Sequence, residues 1–219
     1  MSDINKVYGR SSDWTFELIK DKVPRINFFN AYNESFPTLS KESKWIILGS
    51  KYSVYDDVEW IDSFKKHILK GVEMGVPMLG ICFGHQIIAS ALGAKVVNSK
   101  KGWELGSSKV NLTSIGRKSS LFKSLHKSFE VYESHHDTIV NIPKKIDVLA
   151  QNEYGLQAFS YSDYIFGVQF HPEFKYDVMK AYYKARKDKL KNKDKYYVVN
   201  QNQGVKVLNN FIDINLRGE

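Results

Sequence analysis

Residues 76–92 read VPMLGICFGHQIIASAL, and two apolar patterns meet there at one residue. VPMLGI (76–81) is a short continuous apolar run, as expected of a parallel strand covered on both faces. FGHQIIASAL (83–92) returns to helical spacing. Between them stands Gly80-Ile81-Cys82-Phe83-Gly84, with a glycine two residues before and two residues after the cysteine. Glycine makes up only 14 of the 219 residues, so this flanking is uncommon. The two glycines let the chain turn sharply from strand into helix and hold the apex residue clear of its neighbours. This is the arrangement of a nucleophile elbow, with cysteine at the apex. The apex lies at a helix N-terminus, where the dipole and free N–H groups favour a thiolate. The N–H of Phe83 is placed to hold a developing oxyanion.

Working outward, residues 45–48 (WIIL) form a second continuous apolar run and read as another buried strand. Val58, Ile61, Phe64, Ile68 and Val72 follow at three- and four-residue steps and predict an amphipathic helix. The order strand, helix, strand, helix predicts an α/β fold built on a parallel sheet. Upstream, residues 12–22 predict a short helix with Trp14, Leu18 and Ile19 inward, and INFF (26–29) reads as a strand. In the second half, short strands are expected at 107–112, 129–133, 146–151, 155–160 and 165–170. Two helices follow, near 174–190 and 203–213. The last of these carries Val205, Val207, Leu208, Phe211 and Ile212 on one side.

Composition removes several function classes. A single domain of 219 residues buries roughly 70–75% of its unfolded surface, enough for a core without disulfides or metal. One cysteine rules out an internal disulfide and any zinc site with more than one thiolate. There is no apolar run long enough to span a membrane and no secretory h-region at the start, so a soluble cytoplasmic protein is expected. The formal net charge is +8, which would suit a nucleic-acid partner. Residues 175–195, however, hold nine basic and three acidic residues, and so most of that excess. Such a run reads as a solvated helix face. Arg186 is the only arginine in it, which weakens a phosphate-recognition reading. Neither nucleic acid nor membrane is therefore expected as a partner.

A thiol nucleophile needs a base, and the base needs a group to orient it. Of the six histidines, His67 falls in a helix, His126 in a polar loop and His85 on the elbow helix itself. His171 ends the apolar strand IFGVQF and is followed by Pro172 and Glu173. Sites of α/β proteins assemble at the carboxyl ends of such strands. The candidate set is thus Cys82 as nucleophile, His171 as base and acid, and Glu173 as orienter. His135-His136-Asp137 has the look of a metal cluster, but adjacent strand histidines point to opposite faces, so no metal is expected.

GICFGHQ (80–86) with GVQFHPEF (167–174) resembles the class I (triad) glutamine amidotransferases. LGSKYSVYDDVEWI (48–61), KGWELGSSKVNLT (101–113) and SHHDTIVNIP (134–143) extend the likeness over most of the chain, toward the branch similar to GMP synthase amidotransferase domains. The resemblance implies a flavodoxin-like α/β domain spanning residues 1–219, with a mostly parallel sheet, helices on both faces and a small antiparallel portion. It also implies hydrolysis of the glutamine side-chain amide through a γ-glutamyl thioester, without a cofactor. The second oxyanion donor would come from the Gly49-Ser50-Lys51 loop, where many relatives have Gly-Gly. Gln86 would contact the substrate, and Ser134 with His135 would hold the glutamine main-chain groups.

One departure from the family stands out. NKVYGRSSDWTFELI (5–19) matches the segment that follows the family's first strand, so the sheet is expected to lack that strand. Either the chain start is truncated or residues 22–30 pair differently. No P-loop (GxxxxGK(S/T)) occurs, so ammonia would pass to a separate synthase or be released. A γ-glutamyl peptidase with the same triad is the first alternative. A degenerate, non-catalytic binding domain is the second.

Overall fold

The computed structural model describes residues 2–190 and 192–214. Two helices come first, α1 (Ser2–Tyr8) and α2 (Ser11–Ile19). Next come β1 (Trp45–Ile47), α3 (Glu59–Glu73), β2 (Met78–Ile81) and α4 (Phe83–Ala91). Seven strands follow: β3 (Lys95–Asn98), β4 (Glu104–Leu112), β5 (Ser128–His135), β6 (Asp137–Val140), β7 (Asp147–Asn152), β8 (Gly155–Ser162) and β9 (Ile165–Val168). The described chain closes with α5 (Tyr176–Arg186) and α6 (Val205–Asp213). None of its helices is long and apolar enough to cross a membrane.

The expected α/β architecture is present. A seven-stranded sheet runs β1-β2-β9-β8-β7-β4-β5, and β3 pairs with β6 in a separate two-stranded sheet. The large sheet is mixed. β1, β2 and β9 are parallel, and from β9 onward every pairing is antiparallel. Apolar residues cover both faces of the parallel part, which explains its unbroken apolar runs. On one face α3 buries Ile61, Phe64 and Ile68 against Trp45, Met78 and Ile165. On the other α6 buries Val207, Leu208 and Phe211 against Leu79, Ile81 and Phe166. Each of these side chains contributes roughly 1.5–3 kcal/mol by leaving water.

The start of the chain needs one correction. Residues 2–8 are helical, and the sheet ends at β1, so no strand equivalent to the family's first lies within residues 2–10. INFF (26–29) is not a strand either. Phe28 and Phe29 remain 60% and 48% exposed. Local polar bonds hold this stretch instead: Arg25 Nε donates to Asn27 Oδ1, and Asn30 Oδ1 accepts from the Tyr32 N–H. Such bonds compete with a sheet ladder.

Candidate active site

The elbow forms as its glycines require. Cys82 has φ 55° and ψ −105°, an unfavourable region for a residue with a side chain that costs about 1–3 kcal/mol. Two close approaches hold it there. A Cβ on Gly80 would lie 2.3 Å from the Gly84 carbonyl oxygen, and a Cβ on Gly84 would lie 1.9 Å from that of Ile47. Strand, turn and helix therefore touch backbone to backbone. The Cys82 N–H donates to the Val168 carbonyl (2.9 Å), tying the elbow to β9.

His171 lies three residues past the end of β9, and its N–H donates to the Tyr132 carbonyl (2.8 Å). Its Nδ1 donates to Glu173 Oε1 (2.9 Å), and both side chains are buried. Cys82 lies close enough to the ring to act on its charge. Burial alone would lower the His171 pKa, but the Glu173 carboxylate and Cys82 outweigh it and push it up to about 10. The structure thus brings Cys82, His171 and Glu173 together in that order. Gly49 lies beside them: a Cβ there would sit 3.3 Å from His171 Cε1 and 3.8 Å from Cys82 Cβ. Ser50, where many relatives have a second glycine, turns its hydroxyl to the Tyr52 N–H (3.1 Å) and to Tyr32 Oη (3.0 Å). The Phe83 N–H opens α4 and precedes any intrahelical acceptor.

A cavity of about 330 Å³ opens over Cys82. Ser50, Phe83, Gln86, Ser134 and His135 line it, as does the α5 residue Arg186. Gln86 Nε2 donates to Gln169 Oε1 (2.9 Å). Ser134 Oγ accepts from Arg186 Nη1 (2.5 Å). Two other histidines take structural places. His85 is fully buried against Phe159, and burial holds its pKa down to about 3, so it stays neutral. His67 stacks on Trp45, with Nε2 bonded to the Pro37 carbonyl (2.9 Å).

Three sets of contacts near the site are not signalled by the sequence. Ser11, in the first turn of α2, donates its hydroxyl to Glu173 Oε1 (2.8 Å), and nothing local to GRSSDW signals it. Asp137 accepts from Ser53 Oγ (2.5 Å) and Tyr55 Oη (2.8 Å), which fastens the loop after β1 to the start of β6. Burial would raise its pKa, but His136, Ser53 and Tyr55 hold it below the usual carboxylate range.

The third is a buried ionic cluster beneath the cavity. His135 Nε2 donates to Glu104 Oε2 (3.0 Å) and faces Glu133 Oε2 (3.3 Å), while its Nδ1 donates to the Asp137 carbonyl (2.8 Å). Burial opposes charging this ring, but the two carboxylates outweigh it and raise its pKa well above the ordinary value. Burial and the Glu104 charge push Glu133 up to about 7. The three side chains have the proximity of a metal-binding set. With both ring nitrogens donating, His135 would have to give up its Nε2 proton before it could ligate a metal ion.

Comparison with known proteins places this geometry in context. The family model described as "Glutamine amidotransferase class-I" matches residues 27–207. Gamma-glutamyl peptidase 4 of Arabidopsis thaliana is 28% identical over 180 residues, covering 80% of this chain and 72% of the peptidase. The glutamine-hydrolyzing GMP synthase subunit of Saccharolobus solfataricus is 38% identical over 133 residues, covering 60% of this chain and 67% of that protein. A glutamine amidotransferase of Thermotoga maritima shares the fold, with a TM-score of 0.72 over 90% of this chain and 88% of that one at 24% identity.

Proposed function

Because the chain belongs to the glutamine amidotransferase class-I family, we propose that it hydrolyses the amide of a γ-glutamyl compound, with Cys82, His171 and Glu173 as its catalytic triad. The observation that carries this reading is the buried His171–Glu173 pair set against Cys82 at the cavity floor. A ring kept protonated to about pH 10 by its neighbours already holds the proton that the leaving nitrogen will need. Cys82 Sγ attacks the side-chain carbonyl carbon, and the oxygen takes up charge facing the Phe83 and Gly49 N–H groups. The C–N bond breaks as His171 protonates the departing nitrogen. Water, deprotonated by His171, then cleaves the thioester and releases glutamate. Glu173 holds the ring in the required tautomer, and Ser11 holds Glu173.

Glutamine is the smallest such substrate, and its ammonia would pass to a separate synthase. The likeness to the glutamine-hydrolyzing GMP synthase subunit supports that acceptor. A second reading, peptidase action on a larger γ-glutamyl amide, is favoured by the greater share of this chain that aligns with gamma-glutamyl peptidase 4. The test is glutamate release from glutamine and from γ-glutamyl dipeptides by the purified chain. Activity that disappears in Cys82→Ala supports the triad. Activity that survives that substitution would overturn it.

A further inference from the structure

Arg186 ends α5 within the lysine-rich run, yet it does not stand on the solvated face expected of that run. It is partly buried and lines the cavity over Cys82. Its guanidinium lies 4.5 Å from the Tyr182 ring centroid and 5.1 Å from that of Trp103. Such contacts hold the group in place without using its N–H donors. Of its five donors one goes to Ser134 Oγ, and the others have no acceptor among the described residues. The rest of the charged lining is already matched or lies in solvent. His135 faces Glu104 and Glu133, His136 faces Asp137, and Lys51 is exposed. Arg186 is thus the partly buried cation of the cavity that no carboxylate meets among the described residues. Burial lowers its pKa while Tyr182 and Cys82 act the other way, so it stands close enough to Cys82 for their charges to interact. A planar fork with free N–H groups matches a carboxylate.

The proposed reaction indicates which carboxylate. His171 gives its proton to the nitrogen that leaves, and His171 is not among the residues lining this cavity. The part of the substrate that stays on the Cys82 sulfur, the γ-glutamyl group, is the part left to fill it. That group ends in an α-carboxylate four single bonds from the carbonyl carbon, about 5 Å away. The likeness to the family implies the same end for Ser134, the partner of Arg186. We infer that Arg186 is a specificity residue that binds the α-carboxylate of the γ-glutamyl group through its free N–H groups. This inference rests on the hydrolytic reading above. It applies to glutamine and to a larger γ-glutamyl amide alike, since both carry that carboxylate.

Glutamine and its α-carboxamide test it on the full chain, with γ-glutamylglycine and the α-carboxamide of its glutamyl group as a second pair. The wild type is expected to favour the acid by about tenfold or more in kcat/KM on whichever pair it cleaves. In Arg186→Met that preference should fall toward one. The loss should fall on the acid and appear as a raised KM, because the contact is remote from the reacting bond and is made before and during attack alike. Arg186→Lys should keep part of the preference. Unchanged turnover of the α-carboxamide reports that the variants are folded. A wild-type preference near one would overturn the assignment without any variant. So would a preference that Arg186→Met leaves intact, or an equal loss on acid and carboxamide, which is what mere packing against Tyr182 and Trp103 would give. In each of these cases the hydrolytic reading still stands. Activity that survives Cys82→Ala would remove that reading, and this inference with it.

Discussion

At the scale of single residues, the candidate chemistry depends on how Glu173 is held. It takes a hydrogen bond from Ser11 and one from His171 on the same oxygen, Oε1. Ser11→Ala is expected to lower kcat about three- to tenfold through a loosened His171, by analogy with the ~1 kcal/mol of a typical hydrogen bond. Steady-state kinetics beside a thermal melt would check it, since the melt should move little. Glu173→Gln should cost more, about 10²-fold or greater in kcat, because the ring loses the anion that fixes its tautomer. The raised His171 pKa has a definite sign in stability. Its contribution is fully present below about pH 6.5 and is lost as pH rises through about 10. The difference in unfolding free energy between wild type and His171→Gln should therefore shrink between pH 7 and 10. Cys82, His171 and Glu173 were legible because each lies in a local pattern: an elbow, a strand end, a two-residue step. Ser11 was not, because it meets Glu173 from 162 positions away.

At the scale of elements, the strand–elbow–helix unit was readable because its rule is local, and the same backbone contact makes it intolerant. Gly84→Ala would drive a methyl into the Ile47 carbonyl, so a loss of roughly 3 kcal/mol or more, or no soluble protein, is expected in denaturant titration. INFF misled because an apolar run reports a strand only if an edge is there to pair with it. The partners of β3 and β6 were likewise set by tertiary pairing. The Glu104–His135–Glu133 cluster arises from register, since β4 and β5 place Glu104 opposite His135. It has its own pH signature. Glu133 titrates near 4.5 when unfolded and near 7 when folded, so the native state binds the extra proton between those values. Stability should therefore fall as pH rises from about 4.5 to 7, and Glu133→Gln should flatten that slope.

At the scale of the whole molecule, the site is assembled from distant stretches: α2, the loop after β1, the elbow, the turn after β9, and α5. Lys44 ties one part of this frame together. Its ammonium donates to the carbonyls of Phe211 (3.1 Å), Ile212 (2.6 Å) and Ile214 (2.8 Å), closing the C-terminal end of α6 just ahead of β1. Burial lowers its pKa, and Lys44→Met should destabilise by about 1–3 kcal/mol, read as a lower denaturation midpoint with kcat nearly unchanged. The pairing of β2 with β9 has a larger consequence. Gly80 is opposite Gly167 and Ile81 opposite Val168, so this ladder sets the register of the two strand ends from which the thiol and the imidazole project. A slip of one position would displace the ring by about 3.3 Å, well beyond proton-transfer reach. The ladder acts as a ruler for the reaction. As denaturant is raised, activity should be lost no later than deuterium-exchange protection at the Cys82 amide.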